Sequence, residues 1–399
     1  MNQSFPKHLR SLFCAIGSAL VLIAALNLVA DPYQSFRCCN SDSLRKAAAG
    51  YGTRVGKGEM LARHDWDILL LGTSRVEAGL DPAHPAFAGS RVYNAGLPGA
   101  DYPELDLAAR TAMKRGTLKR LILCVDLFCF DPAWQSTADA DQSLVSPGLN
   151  RAEYCLANLL SLRATEASFE TVRGAMHNAQ AKDYPLGLFG PHETPGSHRR
   201  ADWPLGGALR LTLPAGINRP NPPPLSDERF KVLAALLDDA SRAGIRVDVV
   251  HLPMHATGLE GYAALDVWRV YEQWIRTLAA VVTIHNQRFP ARPAAFWDFC
   301  QYNAITMDPA FEKSEWFYDS YHLKVPLGNL VIDQIMGFHS VGQAAIPELG
   351  LLVTNSNVEA HLAELRRDRE RYYAADPEVK QIDDAIAREY RTRDGDAAS

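Results

Sequence analysis

The stretch Asp67-Ile68-Leu69-Leu70-Leu71-Gly72-Thr73-Ser74-Arg75 sets the fold class. An unbroken apolar run closed by Gly and small polar residues predicts a parallel strand, buried on both faces, that meets a tight turn. In open α/β sheets the ligand crevice lies at the carboxyl ends of the strands. Ser74 is therefore expected on the crevice floor, its hydroxyl raised before the next helix begins. Thr73 and Ser74 also suit the start of that helix, because hydroxyl side chains accept hydrogen bonds from its free N–H groups.

Working outward, Arg91-Val92-Tyr93-Asn94 predicts a second strand, closed by Ala95-Gly96-Leu97-Pro98-Gly99. Glu104 to Arg115 has helical spacing, and Leu121 to Val125 is again apolar throughout, with Asp126 at its end. Strand, helix, strand in this pattern implies right-handed crossovers and a parallel sheet. From about Phe128 to Leu225 the pattern is interrupted. Asn150 to Gln180 predicts helix, and the remainder is rich in Gly, Pro and His. So long a structureless loop is uncommon in a compact domain unless it is functional, so the segment reads as an inserted cap over the cleft, with disorder as the alternative.

The regular pattern resumes with a helix over Asp227 to Ala243, capped by Ser226 and ended by Gly244. A fourth strand over Arg246 to Leu252 ends in Pro253-Met254-His255. A helix follows around Tyr262 to Val281, then a short fifth strand, Ala295 to Asp298, and a last helix, Leu327 to Phe338, that closes the sheet. Beyond Val358 a charged helical segment reads as peripheral.

The chain has 399 residues, 47% of them hydrophobic and 22% charged, which suits a globular protein with a sizeable core. Its net charge of -5 argues against nucleic-acid binding, which usually needs a basic surplus. At the amino end, Lys7, His8 and Arg10 precede the mostly apolar Ser11 to Ala30. About twenty helical residues span a bilayer's hydrocarbon core. An uncleaved anchor is favoured over a signal peptide, because Leu28-Val29-Ala30 is a mediocre cleavage site. Positive charge on the leading side places that side in the cytoplasm and the rest outside it, which for a bacterium means the inner membrane and the periplasm. The expected organisation is a tip and anchor over 1–30, a connector over 31–64 with one short helix around Ser43 to Ala49, an α/β domain over 65–340 with its insert at about 128–225, and a charged tail over 341–399. The seven cysteines show no CxxC pair and no Cys/His ligand spacing, so structural zinc is not expected. A disulfide from Cys38 or Cys39 would suit an oxidising compartment.

Serine is a weak nucleophile unless a base takes its proton and a third group orients that base. The best base lies in Phe317-Tyr318-Asp319-Ser320-Tyr321-His322-Leu323. Asp319 can reach Nδ1 of His322 locally and leave Nε2 free to face a serine; a helix-capping Asp beside a packed His fits the same spacing. Gly72-Thr73-Ser74, Asn94-Ala95-Gly96 and Asp319 to His322, taken in this order, resemble the SGNH (GDSL-like) hydrolase superfamily, over roughly 65–338 minus the insert. With the anchor, the chain resembles the membrane-tethered branch that acts on envelope polymers and acylates exopolysaccharides. The resemblance implies a three-layer, flavodoxin-like parallel sheet, with Ser74 as nucleophile, His322 as base and Asp319 as orienter. It also implies that the N–H groups of Ser74 and Gly96 stabilise the oxyanion, with Asn94 beside them. No cofactor is implied.

Two positions depart from the family pattern. Thr73 stands where Asp is usual, and Cys124-Val125-Asp126-Leu127-Phe128 replaces Gly-x-Asn-Asp, whose Asn donates to the oxyanion. An ionised Asp126 would repel developing negative charge. A pair between Asp126 and Arg75 would remove that conflict, as would a protonated Asp126. His255 is expected to line the cleft and His251 to pack. Pro253 prevents the helix that would align these two as metal ligands. Trp297, Asp298, Tyr302 and Asn303 fall at the fifth strand's end, where Trp297 and Tyr302 would suit a sugar face, although packing is the favoured role of such large aromatics. His192, His198, Arg199 and Arg200 in the insert could meet an anionic polymer, and a solvated loop explains them equally well. The function that follows is a serine esterase or O-acyltransferase acting outside the cytoplasm on acyl groups of a cell-envelope or secreted polysaccharide, alone or beside envelope-complex proteins. A non-catalytic accessory protein of the same fold, binding glycan or a partner, is the rival, and Asp126 favours it.

Overall fold

A computed structural model of the chain describes residues 4–37, 41–50, 52–136, Ser143, 150–177, 224–264, 266–310, 313–339 and 349–378, with 380, 381, 384 and 388 beyond them. Its contacts divide it into two compact units, 1–64 with 138–187 and 65–137 with 188–399. In chain order the described helices are α1 (Ser4–Ala30), α2 (Asp42–Lys46), α3 (Arg54–Arg63), α4 (Ser74–Gly79), α5 (Tyr102–Met113) and α6 (Arg151–Leu160). They continue as α7 (Leu162–Met176), α8 (Asp227–Arg242), α9 (Ala256–Ala264), α10 (Trp268–Arg288), α11 (Val325–Met336) and α12 (Val358–Ala375).

The larger unit is α/β. Its strands are β1 (Ile68–Gly72), β2 (Val92–Gly96), β3 (Arg120–Cys124), β4 (Arg246–His251), β5 (Ala295–Asp298) and β6 (Leu351–Leu352), in the order β2-β1-β3-β4-β5-β6. The first five run parallel. The order reverses beside β1, and a crevice is expected outside the carboxyl ends of the strands at such a point. Leu69, Leu70 and Leu71 are fully buried because β1 lies inside the sheet with helices on both faces. Each such burial stabilises by ~1.5–3 kcal/mol. Ile68, Leu70, Ile122, Cys124 and Val250 turn to one face and pack with Val76 of α4 and with Leu327, Val331 and Ile332 of α11. The alternate side chains turn to the opposite face. There α5 meets β1, α8 meets β4 and α10 meets β5, with α8 packed against both α5 and α10.

Two glycines let α4 sit directly on the strand ends. Gly72 and Gly96 are partners in the β1–β2 register. A Cβ on Gly96 would stand 2.3 Å from the Glu77 nitrogen, and one on Gly72 would stand 2.5 Å from Val76 Cγ2. Asn94 secures the contact. Its Nδ2 donates to the carbonyls of Val76 (2.7 Å) and Leu80 (2.8 Å), and its Oδ1 accepts from Gly96 N–H at 2.9 Å.

Within the larger unit three features differ from the sequence reading. The sheet gains an antiparallel edge, β6, paired to β5 at Trp297 and Asp298, so it is mostly rather than wholly parallel. The helix expected over Tyr262 to Val281 is two helices, α9 and α10, with Asp266 at a positive φ of 59° between them. The charged segment after Val358 is not peripheral: α12 packs on α10, and Arg366 and Arg276 form ion pairs with Glu272 and Glu359 across that contact.

The smaller unit is helical. α1 is long and apolar enough to cross a membrane, by length and composition. Both α6 and α7 pack against it, and α2 packs on α7. Asn27, in the last turn of α1, is fully buried. Its Nδ2 donates to the Leu159 carbonyl (2.9 Å) and to Thr165 Oγ1 (3.1 Å), and Ser168 Oγ donates to its Oδ1 at 2.9 Å. The connector expected over 31–64 contains α3, capped by Thr53, whose Glu59 is held by Arg63 at 2.5 Å and Arg151 at 2.9 Å. Of the segment expected as a cap, α6 and α7 belong to this unit, and 178–223 lies outside the described residues.

Candidate active site

Ser74 opens α4, and Thr73 caps it by accepting the Arg75 N–H on Oγ1 at 3.5 Å. The two readings of the opening stretch therefore divide between adjacent residues, because the cap leaves the Ser74 hydroxyl free to turn elsewhere. Ser74 Oγ lies 2.9 Å from His322 Nε2, and His322 Nδ1 lies 2.8 Å from Asp319 Oδ2. A carboxylate accepts only, so Nδ1 carries a proton and Nε2 is left to accept from the serine.

Local geometry holds the histidine in place. Oδ1 of Asp319 accepts the N–H groups of Tyr321 and His322, each at 2.7 Å. Phe317 and Leu323, both buried, pair as an antiparallel bridge that closes the loop. Burial would raise the Asp319 pKa, but the His322 ring and the two backbone N–H groups hold it below the usual carboxylate range. Asp319 is thus an anion able to stabilise an imidazolium beside it.

The expected Arg75–Asp126 pair is present, with Nη1 2.6 Å from Oδ1. Arg75 is fully buried and makes three further contacts that the sequence did not suggest. Nε donates to the Tyr321 carbonyl at 3.0 Å, and Nη2 donates to the carbonyls of Leu252 (2.6 Å) and Pro253 (2.7 Å). The guanidinium also stands 4.5 Å from the Tyr321 ring centroid. It therefore ties the residue after the serine to the residue before the histidine. Asp126 also accepts from Thr73 Oγ1 at 2.7 Å. Burial would raise its pKa, but Arg75 and the Thr73 hydroxyl lower it, so Asp126 is ionised and its charge is balanced. Only the strand-end positions of Arg75 and Asp126 signalled this cluster; its carbonyl partners carry no sequence signature.

The chain matches no family model and no curated protein sequence. Its functional reading rests on this geometry.

Several residues expected at the cleft have their polar groups engaged within the protein. The Gly96 N–H, expected to face the oxyanion, donates to Asn94, and Asn94 is itself buried beneath α4. The Ser74 N–H remains in the first turn of a helix, where backbone donors have no intrahelical acceptor. His255 is buried rather than lining a cleft. Its Nδ1 meets Thr257 Oγ1 at 2.8 Å, its Nε2 meets the Asp308 carbonyl at 2.9 Å, and burial pushes its pKa down to about 4. Its backbone N–H donates to Ser320 O at 3.1 Å, so it supports the histidine loop from below. Tyr302 is buried and donates to Glu260, and Trp297 packs beside Phe299. His192, His198, Arg199, Arg200, Cys38 and Cys39 lie outside the described residues.

Among the described residues, His251, Asp298 and Cys300 come nearest to a metal-ligand set, with their donor atoms within 4.8 Å of one another. All three are fully buried and already bonded. His251 Nδ1 meets Asp298 Oδ1 at 2.9 Å, and Cys300 Sγ lies 3.3 Å from Nε2. His361 of α12 adds Nε2 at 2.8 Å from Asp298 Oδ2. This cluster behaves as an internal polar network. Two cavities, of about 520 and 420 Å³, lie elsewhere: the first is lined by Arg246 and Ala295 at the amino ends of β4 and β5, the second by Trp297 and Gln334. Neither is lined by Ser74, Asp319 or His322.

Proposed function

We propose that the α/β unit is an SGNH-type serine esterase or O-acyltransferase, held at the membrane by α1, that acts outside the cytoplasm on acyl groups of an envelope or secreted polysaccharide. The observation that carries this reading is the Ser74–His322–Asp319 chain, with consecutive distances of 2.9 and 2.8 Å at the carboxyl edge of a doubly wound sheet. Ser74 Oγ attacks the acyl carbonyl while His322 Nε2 takes its proton, and Asp319 stabilises the imidazolium that forms. His322 then returns the proton to the departing alkoxide. In the second half-reaction His322 deprotonates water or a sugar hydroxyl, which removes the acyl group from Ser74.

A second reading, a non-catalytic scaffold of the same fold, is favoured by the oxyanion side of the site. The Gly96 N–H is engaged, and Asp126 offers a carboxylate where the family has an amide. One missing oxyanion donor lowers rate by ~10²–10³. The two readings separate on a single experiment. The full chain in detergent is treated with a fluorophosphonate probe and mapped by mass spectrometry beside Ser74→Ala and His322→Ala. Labelling at Ser74 that both substitutions abolish supports the enzyme. A folded protein with an unlabelled Ser74 supports the scaffold.

A further inference from the structure

The α6–α7 hairpin presents apolar side chains that are exposed among the described residues. Leu162, Phe169 and Met176 of α7 are 82%, 63% and 76% exposed, and Leu156 and Leu160 of α6 are 60% and 41% exposed. Positions seven apart fall on one face of a helix, so the three α7 residues form a stripe. Arg163, Glu166, Glu170 and Arg173 flank it, all exposed. The opposite faces, through Tyr154 and Asn158 and through Ala164, Ser168 and Thr171, are buried. An apolar stripe with charged borders is the pattern of a helix lying in a membrane interface, immersed by ~5–10 Å.

The bonds to Asn27 fix where this hairpin stands along α1. Asn27 follows Ser11 by about 24 Å of helix rise, inside a hydrocarbon core of ~30 Å. The hairpin therefore packs on α1 near the outer boundary of the span, and α1 itself exposes Leu20, Val21, Leu22, Leu28 and Val29. Charged side chains border the stripe without dominating it, which suits insertion among acyl chains rather than adsorption on anionic headgroups.

We propose that α6 and α7 form an interfacial membrane-docking element, with Leu156, Leu160, Leu162, Phe169 and Met176 entering the outer leaflet beside α1. The proposal rests on the reading of α1 as a membrane span. Full-length protein is reconstituted in nanodiscs of phosphatidylethanolamine and phosphatidylglycerol, with photoreactive p-benzoylphenylalanine placed singly at Leu20, Leu156, Phe169 or Ile284. Leu20 reports the α1 span, and Ile284, 51% exposed on α10, reports exposure alone. Lipid adducts at Leu20, Leu156 and Phe169, at least tenfold above Ile284, are expected. Adducts at Leu20 without adducts at Leu156 and Phe169 overturn the docking element while leaving the span intact. Protein–protein adducts at Phe169 overturn it in favour of an interface between copies. Absence of lipid at Leu20 overturns the span, and the proposal with it.

Discussion

At Arg75 a single side chain does more than the pairing with Asp126 that the sequence suggested. It balances Asp126, and its bond to Tyr321 fixes the approach of His322 to Ser74. Asp126→Asn would leave a fully buried guanidinium without its anion. Breaking a buried pair on one side costs about 3–5 kcal/mol. The variant is therefore expected to unfold at markedly lower denaturant concentration. Wild-type stability in Asp126→Asn, measured by urea titration, would show that Arg75 has other compensation. The serine, the histidine, the aspartate and the Arg75–Asp126 pair were legible because each stands at the end of a strongly patterned element. His255, expected to line the cleft, and the Gly96 N–H, engaged by Asn94, escaped the sequence for a common reason. Strand-end position says that a residue is near the crevice, but not whether its polar atoms turn toward solvent or toward a neighbouring helix.

Among the elements, α4 carries Ser74, and its height above the sheet is set by glycine. Gly96→Ala would drive a Cβ to within 2.3 Å of the Glu77 nitrogen, against backbone that cannot rotate aside. Overpacking of this kind costs ~1–3 kcal/mol. Lifting α4 also moves Ser74 away from His322. The expected outcome is a lower unfolding midpoint together with slower fluorophosphonate labelling at Ser74; unchanged labelling in a destabilised protein would separate helix height from reactivity. Apolar runs and crossover spacing located β1 to β5 within a residue or two at each end. α3 escaped because Gly56, Gly58 and its charged residues read as connector, whereas Glu59 is buried and paired with Arg63 and Arg151 inside the helical unit. β6 escaped because two residues carry no period.

Across the whole molecule, Asp298 joins β5 to His251 of β4 and His361 of α12. Burial alone would lower the His251 pKa, but the Cys300 sulfur and Asp298 raise it from 6.5 to about 10. A group whose folded pKa is raised contributes fully below its unfolded value and loses that contribution as pH climbs through the folded one. The α/β unit is therefore expected to lose thermal stability progressively between pH 6.5 and about 10. His251→Asn should remove most of that slope while lowering stability at pH 6; a slope of wild-type steepness in the variant would assign it to other groups. The interleaved chain order of the two units also has a consequence in time. Asn27 and Thr165 are 138 residues apart, and at 5–20 residues per second the ribosome needs roughly 7–28 s to make that interval. Throughout it, the amide near the end of an apolar helix has none of its native partners on α6 and α7. Until the hairpin arrives, α1 must be kept in its surroundings by something other than its own native contacts.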